Sequence, residues 1–132
     1  MSQIKCRVWN KMRKMFIIDG MTPKEIQDDA TQSMELRIMT GEDCVWQLYT
    51  GVKDIDGNEI VEGDIIGFDP ACDNLELFEI QWSDKYNGWC EVVVRDFDGH
   101  DVDGKKISSY YGGIYHHDKI ILGNIFTGVN SK

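Results

Sequence analysis

The sequence predicts a mainly-β fold, and three observations support that prediction. Short segments alternate apolar and polar side chains, as strands with one buried face do. Glycine occurs 13 times, often in turn-forming pairs such as Asp56-Gly57, whereas proline occurs twice. The 132 residues are 42% hydrophobic, which suffices for one compact unit with a buried core. Many short strands with frequent turns are typical of a barrel or a sandwich.

Residues 1–48 are predicted to form strands and one short helix that pack on the remainder of the chain. Residues 4–9 alternate in polarity, a basic turn follows, and the apolar residues 15–18 complete an N-terminal β-hairpin. Residues 34–39 also alternate and are predicted to form a strand.

The helix is predicted over residues 23–30, between the hairpin and the next strand. Thr22 can accept hydrogen bonds from the free N–H groups of the first turn. Pro23 suits the first helical position, and Glu25 can complete a capping box with Thr22.

Residues 49–132 are predicted to form strands joined by tight turns. Asp56-Gly57 reverses the chain, and Gly63-Asp64 introduces a bend before the strand at residues 65–68. Further strands are predicted over residues 107–111, 120–122 and 124–126.

A finer prediction concerns the hairpin around Asn87. A two-residue loop, Asn87-Gly88, would put the apolar residues of the two strands on opposite faces. A three-residue loop over residues 86–88 places Trp82 opposite Val92, so that both apolar sets share one face and Trp82 lies in the core. The sequence therefore favours the three-residue loop, with Gly88 in the left-handed conformation.

The net charge of −9 is unevenly distributed. Residues 1–24 hold six basic side chains and one acidic side chain, so they sum to +5 and the remaining residues to −14. An acidic chain repels nucleic acid and anionic membranes, so neither is expected as a generic partner. The basic side chains are expected to pair with the acidic part of the chain; the alternative is contact with phosphate by Lys5, Arg7, Lys11, Arg13 and Lys14.

The four cysteines (Cys6, Cys44, Cys72 and Cys90) are far apart and form no paired metal-binding spacing. The sequence shows neither a secretory leader nor an apolar stretch long enough to span a membrane. A cytoplasmic protein with reduced thiols is therefore expected.

No metal, cofactor or catalytic site is predicted. The carboxylates that begin at Asp54 resemble a calcium loop, but the sixth and twelfth positions hold Glu59 and Ile65 instead of glycine and an acid. His116 and His117 are adjacent, so on a strand they point to opposite faces. A second acidic stretch is explained by its two Asp-Gly turns, with a bound cation as the alternative: Asp96, Asp98, His100, Asp101 and Asp103.

Aromatic and histidine side chains in the second half form the candidate interaction surface. Exposed aromatic side chains mark protein contacts more often than other exposed residues do. The candidate residues are Tyr86, Trp89, Tyr110, Tyr111, Tyr115, His116 and His117.

The chain resembles the YopX-like family of phage and prophage proteins, and three segments show the likeness. They are residues 4–10 together with Met15, residues 49–66, and residues 121–126. The resemblance implies an SH3-like barrel over residues 49–132 and the cytoplasm of a bacterial host. It implies no activity and assigns no functional residue.

The expected function is that of a non-enzymatic phage accessory protein that binds another protein and assembles as a homo-oligomer. The expectation rests on the lack of a nucleophile elbow, phosphate loop or zinc-protease motif and on the aromatic turn. The alternative is a nucleic-acid-binding or DNA-mimicking regulatory protein.

Overall fold

The computed structural model describes residues 4–69, 73–96, 98–102 and 119–129. The chain divides into two compact units, residues 1–49 (unit 1) and residues 50–132 (unit 2). The elements of the described residues are β1 (Cys6–Asn10), β2 (Met15–Met21), α1 (Pro23–Gln32), α2 (Met34–Gly41), β3 (Cys44–Lys53), β4 (Glu59–Val61), β5 (Asp64–Phe68), β6 (Leu77–Ser83), β7 (Gly88–Arg95), β8 (Lys119–Asn124) and β9 (Gly128–Val129).

The predicted mainly-β fold is confirmed. The strands form two antiparallel sheets, one of which is a half-barrel. The strand order is β2-β1-β3-β4 in the first sheet and β7-β6-β5-β8-β9 in the second.

Unit 1 contains the predicted hairpin and the predicted helix cap. β1 pairs with β2 across a four-residue turn, and the apolar side chains of both strands pack with Ile26 of α1. The Thr22 hydroxyl accepts a hydrogen bond from the Glu25 N–H, and the Glu25 carboxylate accepts one from the Thr22 N–H. The capping box therefore starts α1 as predicted, although the helix continues to Gln32.

The predicted strand at residues 34–39 is wrong, because these residues belong to the second helix, α2. Ser33 caps this helix by accepting a hydrogen bond from the Leu36 N–H. Met34 and Ile38 are exposed and Leu36 packs on the core of unit 1. Side chains at positions i, i+2 and i+4 look alternating in both helix and strand over so short a segment, and the cap decides between them.

Unit 2 is built around a core of Ile60, Ile66, Phe78, Ile80 and Val93. The turn between β3 and β4 reverses at Gly57, which has a φ of +87°, and Gly63 bends the chain into β5 with a φ of +84°. Both glycine turns were predicted from the sequence, and their positive φ values explain the choice of residue.

The end of the chain departs from the predicted pair of strands. β8 continues through Gly123 to Asn124, and residues 125–127 form the turn to β9 instead of a strand. A Cβ atom on Gly123 would lie 2.0 Å from the Gly128 carbonyl oxygen, so only glycine permits this close pairing. The predicted strand over residues 107–111 lies outside the described residues.

Candidate interaction surface

The hairpin of β6 and β7 has a different register from the predicted one. Trp82 pairs with Trp89 and Ser83 with Gly88, so residues 84–87 form a four-residue turn. Asn87, with a φ of 52°, adopts the left-handed conformation that was predicted for Gly88. The predicted three-residue loop, with Trp82 opposite Val92, is wrong.

The physical reason is that both faces of β7 are buried. Val93 lies in the core with Phe78, whereas Cys90 and Val92 are buried on the opposite face. Phe78 and Ile80 of β6 are buried on one face, and Cys90 and Val92 of β7 are buried on the other. The predicted register assumed that one face of the hairpin contacts solvent, and that assumption fails.

Glu91 points to the core face and is fully buried there. Its carboxylate accepts a hydrogen bond from Lys119 Nζ at 2.6 Å, and the Lys119 ammonium lies 4.5 Å from the Phe78 ring centroid. Sequence reasoning missed this ion pair, since Lys119 is 28 residues away along the chain. The pair compensates a charge that the register brings into the core.

The β6–β7 turn and the strand ends beside it carry an aromatic cluster, defined as Trp82, Tyr86 and Trp89, of which Trp82 and Tyr86 are exposed. Trp82 is 46% exposed and Tyr86 is 39% exposed, so the prediction that Trp82 lies in the core is also wrong. Trp89 is half-buried and packs against the core of unit 2. The Trp82 and Trp89 rings meet edge to face, with centroids 5.3 Å apart.

Polar contacts hold the exposed rings in place. The Trp82 indole N–H donates to Asp84 Oδ1 at 3.0 Å, and Lys85 Nζ lies 5.4 Å from the Tyr86 ring centroid. The Tyr86 N–H donates to the Ser83 hydroxyl at 3.3 Å. An aromatic surface anchored in this way loses little side-chain freedom when another molecule covers it.

Two of the seven predicted surface residues lie at this hairpin: Tyr86 is exposed in the turn and Trp89 is half-buried on β7. The other five lie outside the described residues: Tyr110, Tyr111, Tyr115, His116 and His117. The exposure of Trp82 could have been predicted from Asp84 and Asn87. Both are turn-forming residues, and a four-residue turn that includes them places Trp82 at the end of β6, next to the turn.

The carboxylates that resemble a calcium loop serve the backbone. Asp54 is buried; its Oδ1 atom accepts from the N–H groups of Asp56 and Asn58, and its Oδ2 atom accepts from Ile121 N–H at 3.0 Å. Asp64 Oδ2 accepts from Val61 N–H at 2.8 Å. These contacts build the turns and tie the β3–β4 turn to β8.

The acidic segment after β7 also forms a turn. Asp96 Oδ1 accepts from the N–H groups of Asp98 and His100, at 3.0 and 2.8 Å. Potential ligand atoms of these three residues lie within 4.8 Å of one another, and Asp101 forms an ion pair with Arg95. The turn accounts for this arrangement without an ion, and Asp103 lies outside the described residues.

The basic residues of unit 1 are mostly engaged within that unit. Arg7 is buried and donates from Nε to Gln47 Oε1 at 3.0 Å. Arg13 pairs with Glu42 at 2.7 Å, an interaction that lowers the pKa of Glu42. Lys11 Nζ lies 3.9 Å from Asp43 Oδ2. Unit 1 holds seven Lys and Arg and seven Asp and Glu side chains, so the whole net charge of −9 belongs to unit 2.

The described cysteines, Cys6, Cys44 and Cys90, are free thiols. Burial raises the pKa of the Cys6 and Cys44 thiols, which disfavours the reactive thiolate. Cys72 lies outside the described residues.

Within the same described ranges, no helix combines the length and the apolar character needed to cross a membrane.

The fold and the aromatic turn define the chain as a mainly-β protein with an exposed aromatic hairpin tip. The sequence model of the YopX protein family matches residues 5–126, which is most of the 132-residue chain. The chain belongs to the YopX family. A search of curated proteins found no match.

Proposed function

We propose that the chain is a phage or prophage accessory protein that works by binding another protein, without catalysis, through the aromatic cluster of the β6–β7 turn. The supporting observation is the exposure of Trp82 in edge-to-face contact with the anchored Trp89. Tryptophan and tyrosine dominate the binding energy of many protein interfaces, because each buries a large area at low entropic cost.

A homo-oligomer that acts in the cytoplasm of the bacterial host is part of this proposal. The aromatic cluster is small, and a symmetric pair of such clusters would double the apolar area that an assembly buries. Unit 2 carries the net negative charge, so self-association through this unit should strengthen as salt screens the repulsion between copies.

The test compares variants of two exposed tryptophans. Trp82→Ala combined with Tyr86→Ala removes the exposed part of the cluster. Trp46→Ala is the matched control, because Trp46 is 48% exposed but lies in unit 1. Light scattering over a range of protein concentrations should show an oligomer for the wild type and the control, and a monomer for the double variant.

A second measurement addresses a separate partner protein. The wild-type chain should retain a host protein from a bacterial lysate, the Trp46→Ala variant should retain the same protein, and the double variant should lose it. A wild-type chain that stays monomeric at every concentration and retains nothing that depends on Trp82 contradicts the proposal.

Nucleic-acid binding by unit 1 is the alternative function, and the local pairing of its basic side chains weighs against it. DNA mimicry is similarly disfavoured, since the exposed carboxylates of Asp56, Asp84 and Asp101 belong to separate segments of the chain. A binding assay with duplex and single-stranded DNA at low salt tests the alternative; affinity that falls steeply with added salt would support it.

A further inference from the structure

Unit 2 contains an apolar groove that is separate from the aromatic turn. Its floor is formed by Ile65, Leu77 and Val94, and its cavity volume is about 350 Å³. Val102, Ile125 and Val129 form the rim, and all three are exposed apolar side chains. Isolated exposed apolar residues are ordinary, but three around one concave site form a patch that another molecule can cover.

The groove lies where the two edges of the second sheet approach each other. β7 and β9 are the edge strands of that sheet in the described chain, and both line the groove. The chain after β7 forms one wall, because Val102 N–H donates to the Val94 carbonyl oxygen at 3.0 Å. The two-residue strand β9 forms the other wall. A groove with a strand along its wall suits an extended chain, whose alternate side chains can enter it.

Among the described residues that line the groove, one basic and one acidic side chain, Arg95 and Asp101, balance each other in charge. Asp101 at the rim is exposed and pairs with Arg95. Glu79 does not line the groove itself, but it lies opposite Ile65 in the strand register and therefore on the same face of the sheet. In the described part of the chain no Lys or Arg side chain forms an ion pair with Glu79. Burial, together with the nearby charge of Glu62, raises the pKa of Glu79, so a cation placed beside it would be stabilised.

We infer that this groove binds an extended segment of a partner protein in which apolar side chains alternate with Lys or Arg. The apolar side chains enter the groove over Leu77, and a basic side chain reaches Glu79. The negative charge of unit 2 speeds the encounter with such a segment and disfavours acidic ones. The inference goes beyond the proposed function, because the groove is a second protein-binding site, and it names the chemistry of the partner.

Selection from a random peptide library displayed on phage tests the inference with the intact chain as bait. Enriched peptides should alternate apolar and basic residues. One enriched peptide, synthesised with a fluorescent label, is then titrated with variants. Ile125→Asp should weaken its binding at least about tenfold, because it places a charge where an apolar side chain docks.

Two control variants, Ile55→Asp and the Trp82→Ala and Tyr86→Ala double variant, should keep the affinity for the peptide, whereas a third variant tests the charge of Glu79. Ile55→Asp introduces the same charge at a side chain that is 57% exposed and not among the groove residues, so it should leave the affinity unchanged. Glu79→Gln should weaken binding of the basic peptide and reduce its salt dependence. The Trp82→Ala and Tyr86→Ala double variant should bind the peptide normally, so failure of the aromatic surface and failure of the groove are distinguishable.

The inference is overturned if the library yields no enriched peptide, if the enriched peptides are acidic or lack alternation, or if Ile125→Asp binds as tightly as Ile55→Asp. It is also overturned if Ile125→Asp converts an oligomeric wild-type chain to a monomer, since the groove would then be covered by a second copy.

Discussion

Two hairpin turns of unit 2, β3–β4 and β6–β7, use their polar side chains in opposite ways. In the β3–β4 turn, the buried Asp54 carboxylate accepts hydrogen bonds from three backbone N–H groups, one of them on β8. In the β6–β7 turn, Asp84 is exposed and accepts from the indole of Trp82, which is itself exposed. The first turn fixes the fold, whereas the second leaves its aromatic side chains exposed.

The largest expected difference between the turns is in stability. Asp54→Ala removes the acceptor of three N–H groups, and hydrogen bonds to a charged group contribute about 1.5–3 kcal/mol each. We expect a loss of about 3 kcal/mol or more in the free energy of unfolding, because the Ile121 N–H loses its partner inside unit 2.

Urea unfolding of both variants checks this difference. Asp84→Ala is the matched control and should cost less than about 1 kcal/mol, as is usual for an exposed contact. Asp54→Asn should fall between the two, since its amide oxygen can still accept from the turn. Equal losses for Asp54→Ala and Asp84→Ala would mean that the β3–β4 turn is not anchored to β8.

A smaller effect separates the left-handed residues of the two turns. Gly57→Ala should cost about 1 kcal/mol, because a side chain at a φ of +87° is strained even though no atom lies within 4 Å of the added Cβ. Asn87→Gly should change stability by only a few tenths of a kcal/mol, since asparagine tolerates a φ of 52°. The midpoint of thermal unfolding measures both, and a larger loss for Asn87→Gly would reverse the comparison.

The same two turns show what the sequence could predict. The β3–β4 turn was predicted correctly because its determinants, Asp56 and Gly57, are adjacent along the chain. The β6–β7 register depends on the burial of Cys90 and Val92 and on the ion pair of Glu91 with the distant Lys119. No local pattern reveals those contacts.

The candidate sites also differ in whether neighbouring residues in the sequence could predict them. Tyr86 and Trp89 were predicted at the surface because they flank turn residues, and the strand register pairs Trp89 with Trp82. The groove was not predicted, since Ile65, Leu77 and Val94 come from three strands. Helix α2 was missed for a local reason: the capping role of Ser33 was not recognised.

The smallest expected effect is a pH dependence of stability that comes from Glu79, whose carboxylate contrasts with that of Asp54. Glu79 lies on β6, the strand that enters the exposed turn, and unlike Asp54 its charge is not balanced by several backbone donors. Burial raises the pKa of Glu79, with a further contribution from Glu62 and an opposing one from a hydrogen bond with Gln81. The folded chain therefore holds this proton more tightly than the unfolded chain does.

Stability should consequently fall as the pH rises from about 4.3, the usual glutamate pKa, through the higher folded-state value. Below that window the protonated side chain carries no penalty. Glu79→Gln should abolish this decline and be more stable than the wild type near neutral pH, as measured by urea unfolding at several pH values. Asp84→Asn keeps Glu79 and should therefore keep the decline. If Glu79→Gln leaves the pH dependence unchanged, the folded environment of Glu79 is no less polar than water, and the groove face lacks the uncompensated carboxylate that would attract a basic partner.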